Sequence, residues 1–172
     1  MKKLAILLFA LLSLSVQGQE KIMVIADPHV LAQSLIEEGT AFDEMMNGQR
    51  KMIDLSEPAF MALIDTTLVY KPSLVLIPGD LTKDGEIASH NLVAEQLRKL
   101  QAAGIKTLLI PGNHDIGGKA YSYIGAQTNA VETLSDNPWE TQYQLVYNQA
   151  TAKDPHSHSD VAEPLQGVTV LA

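Results

Sequence analysis

The sequence predicts an α/β fold built on a parallel sheet. Three short apolar runs, residues 21–26 (KIMVIA), 73–77 (SLVLI) and 105–110 (IKTLLI), read as buried strands. Two segments with helical spacing, 57–69 and 86–103, separate them. Continuous apolar strands alternating with helices give β-α-β-α-β, which implies parallel pairing and a sheet covered on both faces. The size suits one domain: 172 residues, 46% apolar and 19% charged, are enough to bury a core. Aromatic residues make up only 5%, so aliphatic side chains must form most of that core.

The N-terminus has the pattern of an export signal. Lys2 and Lys3 form a positive start, residues 4–14 are apolar except for Ser13, and Val16-Gln17-Gly18 suits cleavage before Gln19. The apolar run is short for a membrane span, which needs about 20 residues. Residues 1–18 are therefore expected to be a signal peptide and 19–172 the domain, located in a periplasm or outside the cell, with no stable membrane anchor after cleavage. There are no cysteines, which excludes disulfides, thiolate zinc sites, a cysteine nucleophile and a lipid anchor on Cys. A net charge of −8 argues against sequence-independent nucleic-acid binding, which depends on phosphate neutralisation by Lys and Arg.

The elements follow in order. The first strand ends at Asp27, and a polar stretch with Gly39 and Gly48 as breakers runs to about Ser56. Ser56 and Pro58 start a helix whose Phe60, Leu63, Ile64 and Leu68 share one stripe. Pro78-Gly79-Asp80 ends the second strand. The following helix carries Val93, Leu97 and Leu100 on one face and stops at Gly104. Its His90 falls in line with that face and is expected to be packed or capping. Asp84 and Glu86, beside Gly85, are expected to be a solvated loop acid and a solvated helix-start acid. Pro111-Gly112 ends the third strand. Residues 116–137, with three glycines, read as a long loop holding at most a short helix. Residues 138–149 read as a helix with Trp139, Tyr143, Val146 and Tyr147 packed in the core. Residues 157–163 and 168–172, around Pro164-Leu165-Gln166-Gly167, read as a β-hairpin.

The chemistry lies where the strands end, since ligands of open α/β sheets collect outside the carboxyl ends of the strands. Strand one ends in Asp27-Pro28-His29, strand two in Gly79-Asp80, and strand three in Gly112-Asn113-His114-Asp115. Each motif alone is an ordinary turn. Together they offer oxygen and imidazole donors suited to hard or borderline divalent ions. Gly79 and Gly112 let the chain turn sharply without a Cβ clash.

The ordered set D-x-H, G-D and G-N-H-D resembles the calcineurin-like metallophosphoesterase superfamily, over residues 22–115, and residues 154–172 look more loosely like the strand pair that opens its second sheet. The resemblance implies a four-layer αββα sandwich and two divalent metal ions among Mn, Fe, Zn and Ni. It implies that Asp27 and His29 bind the first metal, that Asp80 bridges both, and that Asn113 binds the second. His114 would stand beside the leaving group and protonate it, and Asp115 would orient His114. The reaction implied is hydrolysis of a small phosphoester by a hydroxide bridging the two metals. The pattern departs from the family after Asp115. No lone His on a second-sheet strand and no G-H-x-H follow, and His156 and His158 precede the hairpin without a leading Gly. The expectation is accordingly an incomplete sandwich, the first βαβαβ half plus the opening hairpin of the second sheet, from a larger enzyme. The alternative is a non-catalytic remnant or binding module that keeps the fold and one metal.

Overall fold

The computed structural model describes residues 20–154, 156, 157 and 159–171. The expected signal peptide, His158 and Ala172 lie outside the described residues. The first sheet is parallel and has the order β1 (Ile22–Val24), β3 (Leu74–Ile77), β4 (Lys106–Leu109). Its register pairs Val24 with Leu76 and Leu76 with Leu108. The two expected helices connect these strands: α2 (Ser56–Tyr70) and α3 (Ile87–Ala102). They lie side by side. Right-handed crossovers between strands laid down in one direction place both helices on the same face. Phe60 and Ile64 of α2 and Val93, Leu97 and Leu100 of α3 are buried there, while Leu63 and Leu68 sit half-buried at the margin.

The segment between β1 and α2 is more structured than its polar sequence suggests. It holds β2 (Ile36–Glu37) and a helix, α1 (Thr40–Asn47), bounded by the two expected breakers Gly39 and Gly48. The expected loop over 116–137 is corrected outright: it contains an antiparallel hairpin, β5 (Ala120–Ile124) and β6 (Gln127–Val131), with β2 parallel to β5. Strand β6 is nearly all exposed, so it carries no buried alternation to read. Its backbone ladder and the Gly125 turn, at φ +60°, hold it in place. The same turn approaches α1 closely, where the Ala41 amide donates to the Gly125 carbonyl at 3.1 Å. Leu31, Ala41, Ile53 and Tyr123 form a small second core beneath it.

The expected helix over 138–149 is two short helices, α4 (Asp136–Gln142) and α5 (Gln144–Tyr147), broken at Tyr143. Its packing stripe is as expected, for Trp139, Tyr143, Val146 and Tyr147 are all buried in the main core. The C-terminal hairpin also forms, from β8 (Asp160–Leu165) and β9 (Val168–Leu171), and gains a third strand, β7 (Ala152–Lys153). Leu76 and Leu108 of the first sheet line a common groove with Val170 and Leu171 of β9, so the hairpin sheet borders the parallel one.

Candidate metal centre

The strand-end motifs meet because the loops themselves pair. Beyond β1 and β3 the His29 amide donates to the Asp80 carbonyl at 3.0 Å and the Val30 amide to the Leu81 carbonyl at 2.8 Å. The Lys83 amide returns a bond to the Val30 carbonyl at 3.0 Å, which extends the parallel ladder past the strands. Asp27, His29 and Asp80 all have positive φ, between 42° and 50°. Non-glycine residues adopt that conformation at a cost, and such strain gathers at functional sites. Gly79, at φ +104°, supplies the turn, and a Cβ there would meet the Gly112 nitrogen at 2.6 Å. A Cβ on Gly112 would overlap the Asp80 backbone nitrogen and carboxylate. Both glycines are thus required by space at the point where the second and third motifs cross.

Three side chains converge. Ligand atoms of His29, Asp80 and His114 all lie within 4.8 Å of one another. Asp80 Oδ2 stands 3.6 Å from His29 Nε2, while Asp80 Oδ1 accepts the His114 amide at 3.1 Å. The two imidazole rings meet edge to face, with centroids 4.8 Å apart. Of the other predicted residues, Asp27 is exposed and lines a cavity of about 450 Å³ with His29. Asn113 is exposed on the turn that delivers His114. One carboxylate and two imidazoles within ligand range fit a borderline divalent ion, while Asp27 stands outside the converging set.

The partners of His114 differ from the expected Asp115. His114 Nδ1 donates to the Lys83 carbonyl at 2.7 Å, with Asp84 Oδ1 at 3.3 Å, which leaves Nε2 without a protein hydrogen-bond partner among the described residues. Asp115 is fully buried, and its carboxylate accepts from the amides of Gly112 (2.8 Å), Thr82 (2.9 Å) and Leu81 (3.2 Å) and from the Thr82 hydroxyl (2.9 Å). It clips the third motif to the second. The two acids expected in solvent are also corrected. Asp84 pairs with Lys83 and reaches His114. Glu86 is fully buried, because it bridges to Thr133 of the segment after β6; burial pushes its carboxyl up from the ordinary value.

Sequence reading missed two residues here, Lys51 and Lys83, and placed a third, Asp84, in solvent. Lys51 Nζ lies 2.8 Å from His29 Nε2. Burial holds the His29 imidazole below its usual value, and the Lys51 charge adds to this against the pull of Asp80. Burial alone would lower the Lys83 ammonium, but its bond to Asp84 outweighs that and leaves it raised. Lys83 and Asp84 directly follow the Gly79-Asp80 motif, so their place on this rim was available from the strand-end rule. Lys51 carries no such signal.

His90 is packed, as expected. Its Nε2 donates to the Asp115 carbonyl at 2.9 Å, and its Nδ1 accepts from the Tyr143 hydroxyl at 2.7 Å, which fixes a neutral tautomer. Burial lowers its basicity from the usual 6.5, although the bond to Asp115 opposes the shift. The unfolded chain therefore takes up a proton more readily than the folded one. The stability this represents is fully present above pH 6.5 and is lost as pH falls below it, by at most about 1.4 kcal/mol per pH unit. Thermal melts at pH 7.5 and 5.5 should show a smaller drop for His90→Gln than for wild type, and equal drops would remove His90 as the source.

A parallel sheet with oxygen and imidazole donors converging beyond its strand ends makes this a candidate divalent-metal centre in an α/β fold. Residues 20–162 match the family of calcineurin-like phosphoesterases, and the chain belongs to that family. Comparison with curated proteins gave no match. Among the described residues no helix is long and apolar enough to cross a membrane.

Proposed function

We propose that this protein is an exported, metal-dependent hydrolase of small phosphoesters. The convergence of His29, Asp80 and His114 at the ends of parallel strands, within a chain of this family, carries the reading. Asp27 and His29 would hold one divalent ion, Asn113 a second, and Asp80 would lie between them. Such ions supply Lewis-acid activation of water and neutralise charge on the phosphoryl oxygens. The protein's own part is positional and acidic. The backbone ladder between the loops after β1 and β3 fixes His29 and Asp80 to each other. His114, held at Nδ1 by the Lys83 carbonyl and beside Asp84, keeps Nε2 for substrate, where in its doubly protonated form it gives a proton to the departing ester oxygen. Water gives one proton to solvent as its oxygen bonds to phosphorus, the ester P–O bond breaks, and the alcohol leaves with the proton from His114. In this reading the three sheets are the first half and the opening strands of the family's four-layer sandwich.

The test is Mn²⁺ uptake by chelator-treated protein, followed by hydrolysis of bis-nitrophenyl phosphate. The expected result is saturable uptake with weak turnover, since the later histidines of the family pattern do not occur in this sequence, and that turnover returns with Mn²⁺ and vanishes with chelator. Protein that takes up no Mn²⁺, or turnover indifferent to chelator, overturns the proposal.

A further inference from the structure

Lys51 enters the site from outside the three motifs, and its surroundings do not explain it as a structural cation. Its Nζ stands 2.8 Å from His29 Nε2 and 3.3 Å from Nδ1, on the ring edge that carries both nitrogens. Among the described residues it has no carboxylate within ion-pair distance, whereas the other lysine at the rim, Lys83, is bound by Asp84. The backbone beneath it is anchored two residues on by Ile53, which is buried at the start of a short 3-10 turn, Ile53–Leu55. The side chain lines the same cavity as Asp27 and His29. A cation held against an imidazole, rather than against an acid, contributes little to stability and remains free for an anion.

We propose that Lys51 is the phosphate-anchoring residue of this site, its ammonium binding a phosphoryl oxygen of the substrate. The proposal rests on the hydrolase reading above and adds a recognition residue to it. The imidazole lone pair that faces Lys51 is the one a divalent ion would take, and the two cannot share it. A divalent ion held at His29 would therefore displace the ammonium. Its four-carbon stem lets it swing while the backbone at residue 51 keeps it at the rim, next to where the ions would hold a phosphoryl group. Lysine serves such oxygens as a compact point charge with three donors.

Calorimetry on chelator-treated wild type, Lys51→Met and Lys51→Arg tests this, first with Mn²⁺ alone and then with inorganic phosphate added to Mn²⁺-saturated protein. Lys51→Met should take up Mn²⁺ at least as tightly as wild type, because a competing cation is gone. Its phosphate affinity should fall about tenfold, the loss expected for one charge-assisted hydrogen bond, and Lys51→Arg should recover most of it. With a nitrophenyl ester the methionine variant should raise KM more than it lowers kcat. Wild type and Lys51→Met that both take up Mn²⁺ and bind phosphate equally would overturn the role of Lys51 alone. Wild type that takes up no Mn²⁺ would overturn the metal reading and this proposal with it.

Discussion

Replacing Asp80 with alanine should reduce Mn²⁺ affinity more than about 100-fold, the upper end of what losing a mere supporting partner costs at a metal site, and hydrolysis should fall with it. Asp80 supplies the carboxylate of the convergent cluster, and its two oxygens have different tasks. Oδ2 faces His29 Nε2 and Oδ1 accepts the His114 amide. Asp80→Ala removes a ligand and also the bond that seats the third motif on the second. Asp80→Asn separates the two effects, because the amide oxygen still accepts from His114 while the negative charge is gone. Calorimetry with Mn²⁺ should therefore show both variants weakened, with Asp80→Asn keeping a wild-type melting curve. Affinity within threefold of wild type in Asp80→Asn would show that charge at this position is not what holds the ion.

The parallel half of the molecule was legible because its signals are local and repeated. An apolar run of four to six residues, a turn rich in glycine, and a helical stripe recur in order, and burial follows them at Leu74, Val93, Leu97 and Leu100. The meeting of His29 with Asp80 was likewise contained in the rule that strand ends share one side of a sheet. The β5–β6 hairpin was not legible. Its outer strand, Gln127–Val131, is exposed and polar, and backbone pairing with β5 fixes it instead of a buried face. Tyr121 and Tyr123, alternating just before Gly125, were the signal available. Lys51 illustrates a different limit. It stands 22 residues from His29 in sequence, and only the fold of the segment between them, with α1 bounded by Gly39 and Gly48, brings the two together. Glu86 shows a third limit, since a helix-start acid looks solvated until the segment after β6 covers it.

Asp115→Ala should destabilise the fold itself, by roughly 3–5 kcal/mol, the scale expected when several buried donors lose the acceptor they share. The carboxylate is inaccessible and accepts four hydrogen bonds, three of them from backbone amides in two different loops. Removing it strands the buried amides of Leu81 and Thr82 without a partner, and each orphaned buried donor costs about 1–3 kcal/mol. Against a total stability of about 5–15 kcal/mol for a domain, that loss would leave little margin at 37 °C. Asparagine is a poor rescue here. Its oxygen can serve one side of the clip, but its NH₂ group would face amides that also donate, so Asp115→Asn should recover less than half of the loss. Urea denaturation of wild type and both variants reads this directly. The same experiment tests the role implied by family resemblance, in which Asp115 only orients His114. An orienting residue would leave the urea midpoint unchanged and lower turnover alone. A clip between the second and third motifs would move the midpoint first, and Mn²⁺ uptake would fall in step, because the third motif, which carries Asn113, stays seated on Asp80 only while that clip is closed.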